Sequence, residues 1–395
     1  STPVLKEENN ILSEDIIMKK TAILALTAAL FCAEANAKSL NSDYSLFKYW
    51  LNKNYGLDYG VDVSVMGQRG APSGKYNSVQ AYIYPYLTWT NFKNEYGTGS
   101  LNMAYNIVRY GNHNAADVGG RMGVVNAIND YDDDDNEFVE FYYSWQLGGK
   151  MDWLTLNAGQ FPIYSFDGSP YNSNQQVNFM NYALSQNASS TYSTAGVGVF
   201  AQIAPKGDWS FAIGAQDASN PDAVSVRFNK IHDKHFTTFA QAQYAPTNRL
   251  GEAEFSVLLY NQPAVKLQPQ TTNGWSINLS QNIGEKWNVF ARVNGVSGHI
   301  DTIEQSWAAG VVWLNPLNRN SLDQIGLGYA YNKINETAVG EPLAHDAEQV
   351  FEAYWAWGFA NRLTITPDVQ FYINPALNQK SDYATAVGLR FTLML

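Results

Sequence analysis

The chain has 395 residues, with 25 Lys or Arg against 36 Asp or Glu and a formal net charge of −11. An acidic balance of this size excludes a nucleic-acid partner, because a polyphosphate demands a basic surface. Hydrophobic residues make up 45% and aromatic residues 14% of the chain, yet its mean hydropathy is negative, and its single cysteine excludes a disulfide framework.

In chain order, the first signal is a leader. Met18-Lys19-Lys20 opens a short positive region, an apolar run from Thr21 to Cys32 follows, and Ala35-Asn36-Ala37 has the small-x-small form of a cleavage site. The apolar run is about a dozen residues, short of the roughly 20 that a membrane helix needs. Residues 18–37 therefore read as a secretory signal cut after Ala37, and residues 1–17 as an upstream extension with no structural role. Phe31 before Cys32 does not suit a lipid-modified cysteine, so the only thiol leaves with the signal. Removal takes away three Lys and five Asp or Glu, leaving 22 basic and 31 acidic residues, a net −9. No stretch after the signal is long and apolar enough for a helical membrane span.

Residues 38–56 read as a periplasmic segment with a short helix from Asp43 to Gly56. Leu46, Phe47, Trp50 and Leu51 share one face of it, with Asp43 as cap and Gly56 as stop.

From Leu57 to Leu395 the pattern changes to period two. Near the end, Leu363, Ile365, Pro367, Val369, Phe371 and Ile373 alternate with Thr364, Thr366, Asp368, Gln370 and Tyr372. Sixteen such segments can be marked, at 57–68, 78–90, 99–110, 136–147, 151–160, 193–204, 208–217, 234–245, 250–260, 272–282, 285–296, 303–314, 321–332, 347–359, 361–373 and 381–395. A β-sandwich would put the apolar face inside, whereas a barrel in lipid turns it outward. Segment length favours the barrel, since about 10 to 13 residues exceeds the usual globular strand and suits a tilted membrane strand. The joints decide it. Even-numbered ones are tight (148–150, 205–207, 246–248, 315–320 and Ala360), while odd-numbered ones are longer, above all 111–135 and 161–192. Short periplasmic turns and long outer loops are the barrel rule. His113, His232, His299 and His345 fall in long joints, and His235 at the edge of the 234–245 segment. The predicted fold class is all-β, a sixteen-stranded antiparallel transmembrane β-barrel over 57–395 in the outer membrane.

Sixteen strands enclose an aqueous channel. Charges in phase with the polar face should point into it, because Arg or Lys at mid-bilayer on the lipid face costs about 2–4 kcal/mol. By phase these are Asp62, Glu140, Glu254, Glu304, Glu352, Asp368, Arg292 and Arg390, a set that disfavours anions; Arg109 falls on the apolar phase, at the rim or a bulge. Inward tyrosines are Tyr82, Tyr84, Tyr86, Tyr142, Tyr354 and Tyr372. A sugar offers a C–H face to such rings and hydroxyls to the acids, amides and arginines, although tyrosines that only brace the wall fit the pattern equally well. The 161–192 joint is far longer than a connection requires. It is expected to fold into the barrel as the constriction, with Gln160, Phe161, Phe166, Asp167, Tyr171, Asn172 and Asn174 as candidates. Asp130, Asp132 to Asp135 and Glu137 lack the spacing of an EF-hand and read as a solvated acidic loop. His232-Asp233-Lys234-His235 shows no third metal ligand, and no nucleophile motif stands beside a base, so an enzyme is not expected.

Several stretches carry a resemblance: Gly56 to Val63, Ala195-Gly196-Val197-Gly198, and above all the Thr-Pro-Asp-x-Gln strand 366–370 running to Asn374-Pro375, preceded by Glu352 and followed by Gly388-Leu389-Arg390. In these the chain resembles the carbohydrate-selective porins of the OprB type. The resemblance spans the mature chain in layout and the last quarter closely in motif. It implies a sixteen-stranded porin that admits monosaccharides such as glucose by diffusion, without a cofactor or energy coupling. Expected partners are small sugars, outer-membrane lipid and lipopolysaccharide, and the barrel-assembly machinery through the alternating terminal strand; a homo-oligomer stays open. A general, mildly cation-selective porin is the alternative, and a lipid-acquiring or structural barrel comes third.

Overall fold

The computed structural model describes residues 41–71, 76–298 and 300–395. The signal, its cleavage site and the upstream extension lie outside the described residues, as does His299. The chain divides into two units, Ser1–Trp50 and Leu51–Leu395. Residues 41–55 are helical (α1), and the helix stops at Gly56, whose φ of +68° suits glycine and whose N–H donates to the Asn52 carbonyl at 2.9 Å.

The second unit is the barrel. Its first half comprises β1 (Leu57–Ala71), β2 (Asn77–Asn94), β3 (Gly97–Tyr110), β4 (Asp135–Leu147), β5 (Leu154–Phe161), β6 (Gly196–Ile203), β7 (Trp209–Asp217) and β8 (Phe236–Tyr244). Then come β9 (Ala253–Gln262), β10 (Thr272–Ile283), β11 (Trp287–Val296), β12 (Ile303–Leu314), β13 (Gln324–Ile334), β14 (Ala347–Phe359), β15 (Leu363–Ile373) and β16 (Tyr383–Met394). Each pairs antiparallel with its sequence neighbours, and β1 pairs with β16 to close the ring. All sixteen predicted strands are present, with ends displaced by four residues at most.

Alternation sorts the side chains as lipid demands. Val65, Leu259, Leu327 and Val387 are exposed on the outer wall, while Ser64, Gln68, Asn278 and Thr392 are buried within. Aromatic rings gather near both ends of the outer wall. Trp287 stacks on Trp313 at 5.0 Å and Trp209 on Tyr244 at 4.8 Å beside the short turns. Phe371 and Tyr383 stack at 5.6 Å beside the long joints.

Two long joints are filled in. Residues 111–134 carry α2 (Ala115–Met122), opened by an Asn114–Asp117 capping box and closed by Gly123. Residues 162–195 carry the short α3 (Tyr182–Ser185). Val118, Met122, Ile128, Phe179 and Leu184 from these joints pack with Phe290, Val350, Tyr354 and Tyr372 of the wall in one apolar cluster. The core of this barrel is thus the seam between its wall and two inserted loops. The 161–192 joint was expected to turn inward; the 111–135 joint joins it, and its Val118, Met122, Val124 and Ile128 are the apolar residues that an exposed loop would not carry.

Candidate functional site

Strands β14, β15 and β16 hold the loops by their backbones. Glu352 accepts hydrogen bonds from the Met180 and Asn181 amides at 2.6 and 3.0 Å. Four residues earlier on the same face, Glu348 accepts from the Val125, Asn126 and Ala376 amides at 3.1, 2.9 and 2.9 Å. Two glutamates on one strand thereby grip two different loops. Arg390 donates to the Gln175 carbonyl and, at 2.9 Å, to that of Asn178, while the Thr392 hydroxyl reaches the Gln176 carbonyl at 2.6 Å. Gln370 donates to the Ile128 carbonyl at 2.9 Å and the Tyr372 hydroxyl to that of Asn126 at 3.1 Å. The Thr-Pro-Asp-x-Gln strand is therefore a docking platform, with Asp368 buried beside Gln370.

Across the lumen, Arg292 donates to the Asn278 side chain at 2.9 Å and the Asn172 carbonyl at 2.8 Å. Asp167 accepts from Asn278, Asn187 and Tyr192 at 3.0, 2.7 and 3.1 Å. Arg292 and Arg390 are each 1% exposed. Phase puts both inside the barrel, and there they meet loop carbonyls instead of pore water. Gln160 is buried against the wall, its amide donating to the Phe138 carbonyl, so it braces β4. Glu304 is the extra residue where the β12–β13 register shifts, and it pairs with Lys333. Arg109, near the outer end of β3, donates to Asp135 and Asn136.

What remains open is a cavity of about 390 Å³ between β1, β2, β4 and the inserted loops. Its wall carries three carboxylates (Asp62, Asp130 and Glu137) and six tyrosines (Tyr82, Tyr84, Tyr131, Tyr164, Tyr182 and Tyr192). Among the described residues lining it there is no lysine or arginine. Asp62 and Tyr84 are cross-strand partners, and Tyr82 donates to Asn106 at 3.1 Å. Tyr86 turns its ring over Gly60, where a β-carbon would lie 2.3 Å from the ring. Burial pushes the Asp130 carboxyl up to about 7, against the hydrogen bonds it accepts from Ser185 and Gln186. Burial raises Tyr131, Tyr164 and Tyr192 as well, so these hydroxyls stay protonated donors.

Glu137 is a site residue that alternation hides. The β3–β4 register slips between Ala104 and Tyr105, leaving Val139 as an extra residue on β4. Glu140 and Tyr142 face inward on one phase, and Glu137 faces inward on the other, where it accepts from Asn106 at 2.7 Å. A further acidic cavity of about 540 Å³ adjoins the first, sharing Asp130, Tyr131, Glu137 and Thr194 and rimmed by Asp132 to Asp135.

A closed sixteen-stranded barrel with an aromatic-banded outer wall and a polar lumen narrowed by its own loops is an outer-membrane porin, and not an enzyme. Residues 233–395 match the model of the carbohydrate-selective porin, OprB family. Porin AaxA of Chlamydia abortus (strain DSM 27085 / S26/3) is 32% identical over 358 residues, covering 90% of this chain and 77% of that one. Porin AaxA of Chlamydia felis (strain Fe/C-56) is 35% identical over 312 residues, covering 79% and 70%. The high-pH structure of Pseudomonas putida OprB superposes with a TM-score of 0.74 over 89% of this chain and 97% of that one, at 12% identity. The chain belongs to the OprB carbohydrate-selective porin family.

Proposed function

We propose that this porin passes small polar solutes of monosaccharide size, neutral sugars among them, and turns anions away. The carrying observation is the composition of the constriction: three carboxylates and six tyrosines, with both inward arginines taken up by the loop backbone. Carboxylates and phenols offer acceptors and donors to sugar hydroxyls, and tyrosine faces suit the C–H face of a pyranose. The ionisable carboxyls that line the cavity itself offer an anion only like charge. At 4 Å one unit charge repels another by about 1 kcal/mol in bulk water and about 4 kcal/mol at an effective dielectric of 20. Since about 1.4 kcal/mol is tenfold, a single ionised carboxylate at that distance and dielectric suffices for strong discrimination.

Two measurements test this. In liposomes, glucose should enter faster than gluconate and faster than an uncharged non-sugar of equal size. In planar bilayers, the reversal potential in a salt gradient should report cation preference. Equal entry of glucose and the neutral non-sugar would leave the second reading, a general cation-selective porin, which the acidic rim at Asp132 to Asp135 favours. Free passage of gluconate would overturn both.

A further inference from the structure

A second lumen cavity, of about 290 Å³, lies towards the periplasmic end, where Ile203, Ala204 and Ser210 flank the short β6–β7 turn. One side of it is aromatic. Phe161 packs on Phe200 at 4.4 Å, Phe166 stacks on Phe239 at 4.9 Å, and Tyr142 meets Phe200 edge-on at 5.6 Å. The loop puts these rings there, since Ile163–Phe166 forms a 3₁₀ turn directly after β5 and carries Phe166 beneath the constriction. The other side is polar, with Glu140, Gln202, Gln241, Gln243, Ser165 and Ser210.

Those polar groups are unspent and open to the cavity, unlike the residues that hold the loops. Elsewhere Glu348, Glu352, Arg292, Arg390 and Gln370 are bonded to loop backbone. Among the described residues, the side chains of Gln241 and Gln243 bond only to each other, at 3.2 Å. Among the described residues, the side chains of Glu140, Gln202, Ser165 and Ser210 have no protein hydrogen-bond or ion-pair partner. An apolar platform facing open acceptors and donors matches a ring that is apolar on one face and hydroxylated at its edge.

We infer that this cavity is a second, exit-side binding subsite for the pyranose ring of a neutral sugar. Phe161, Phe166 and Tyr142 supply the apolar wall, while Glu140, Gln202 and Gln243 bind hydroxyls. Two weak sites in series let a solute leave the constriction without falling into one deep well, as conduction requires. The inference rests on the sugar reading above.

The test is glucose-dependent block of ion current through single channels in planar bilayers, with glucose added to either side. Wild type is compared with Gln202→Ala, whose side chain holds no protein partner, and with Phe166→Leu, which keeps most of the packed volume. Each variant should weaken the apparent glucose affinity by about three- to tenfold, with the larger change for glucose added from the periplasmic side. Block of wild type with unchanged affinity in both variants overturns the subsite and leaves the sugar reading standing. A wild-type channel that conducts ions and shows no glucose block overturns both. Block by a hydroxyl-free organic cation of similar size, in place of glucose, reassigns the cavity and overturns the inference.

Discussion

Arg390 is a cation inside a barrel, and its Nη1 donates to the carbonyls of both Gln175 and Asn178. Removing one partner of a buried charged group costs about 3–5 kcal/mol, because the other partners are left uncompensated. Arg390→Ala should therefore release the inserted loop, raising single-channel conductance and adding large current fluctuations; a steady current of wild-type amplitude would refute the anchoring role. Asp130 gives a pH prediction. With its carboxyl pushed up to about 7 by burial, it becomes neutral as pH falls through that value. The constriction then loses one of its three negative charges, so cation preference should decline between about pH 8 and pH 6. Asp130→Asn should weaken that dependence and bring the high-pH reversal potential closer to its low-pH value. Inward charges were visible in the sequence at this scale, but their partners were not. Arg390 and Gln175 lie 215 residues apart, and alternation tells which way a side chain points without telling what waits for it.

At the scale of elements, β4 shows how one residue rewrites a strand. Period two runs from Leu147 back to Glu140 and loses its phase at Val139, the extra residue opposite the Ala104–Tyr105 step of β3. Below the bulge Glu140 and Tyr142 line the exit-side cavity; above it Glu137 lines the constriction. Deleting Val139 would restore the plain ladder, with Phe138 still opposite Tyr105 and Glu137 still facing the lumen beside Asn106. The expected result is a barrel that folds in undiminished yield, read as the heat-modifiable fraction on a gel, and keeps its ion selectivity. A marked fall in yield or a changed selectivity would show that the bulge itself is needed, beyond the phase it sets. Strands themselves were legible almost to the residue because lipid enforces alternation on every one. A bulge breaks the periodicity that makes it legible, so Glu137 passed for part of an acidic loop.

For the whole molecule, the wall and the filter are separate assemblies. Each strand is hydrogen-bonded to two neighbours around a closed ring, so no edge depends on the loops. Replacing residues 163–194 with a short turn should leave a folded barrel whose conductance rises severalfold and whose preference among glucose, gluconate and a neutral non-sugar is lost. Retained discrimination would place the filter in the wall. The ordered short and long joints made the ring readable from sequence, whereas the inward fold of 111–134 rests on long-range pairs such as Glu348 with Val125, 223 residues apart.

The grip on the loops has one more consequence, for how such a protein changes over generations. Glu348, Glu352, Arg390, Arg292 and Thr392 all hold main-chain N–H or C=O groups of the loops. Every residue type except proline offers both groups. The seat is therefore largely indifferent to which side chains the loop carries, and the loop face turned to the solute can be rewritten position by position while its path stays fixed. The wall residues have no such freedom, because each one is the specific half of its bond. One frame can in this way be re-cut for new solutes by drift in a few loop positions, with strands 14 to 16 as the part that stays constant.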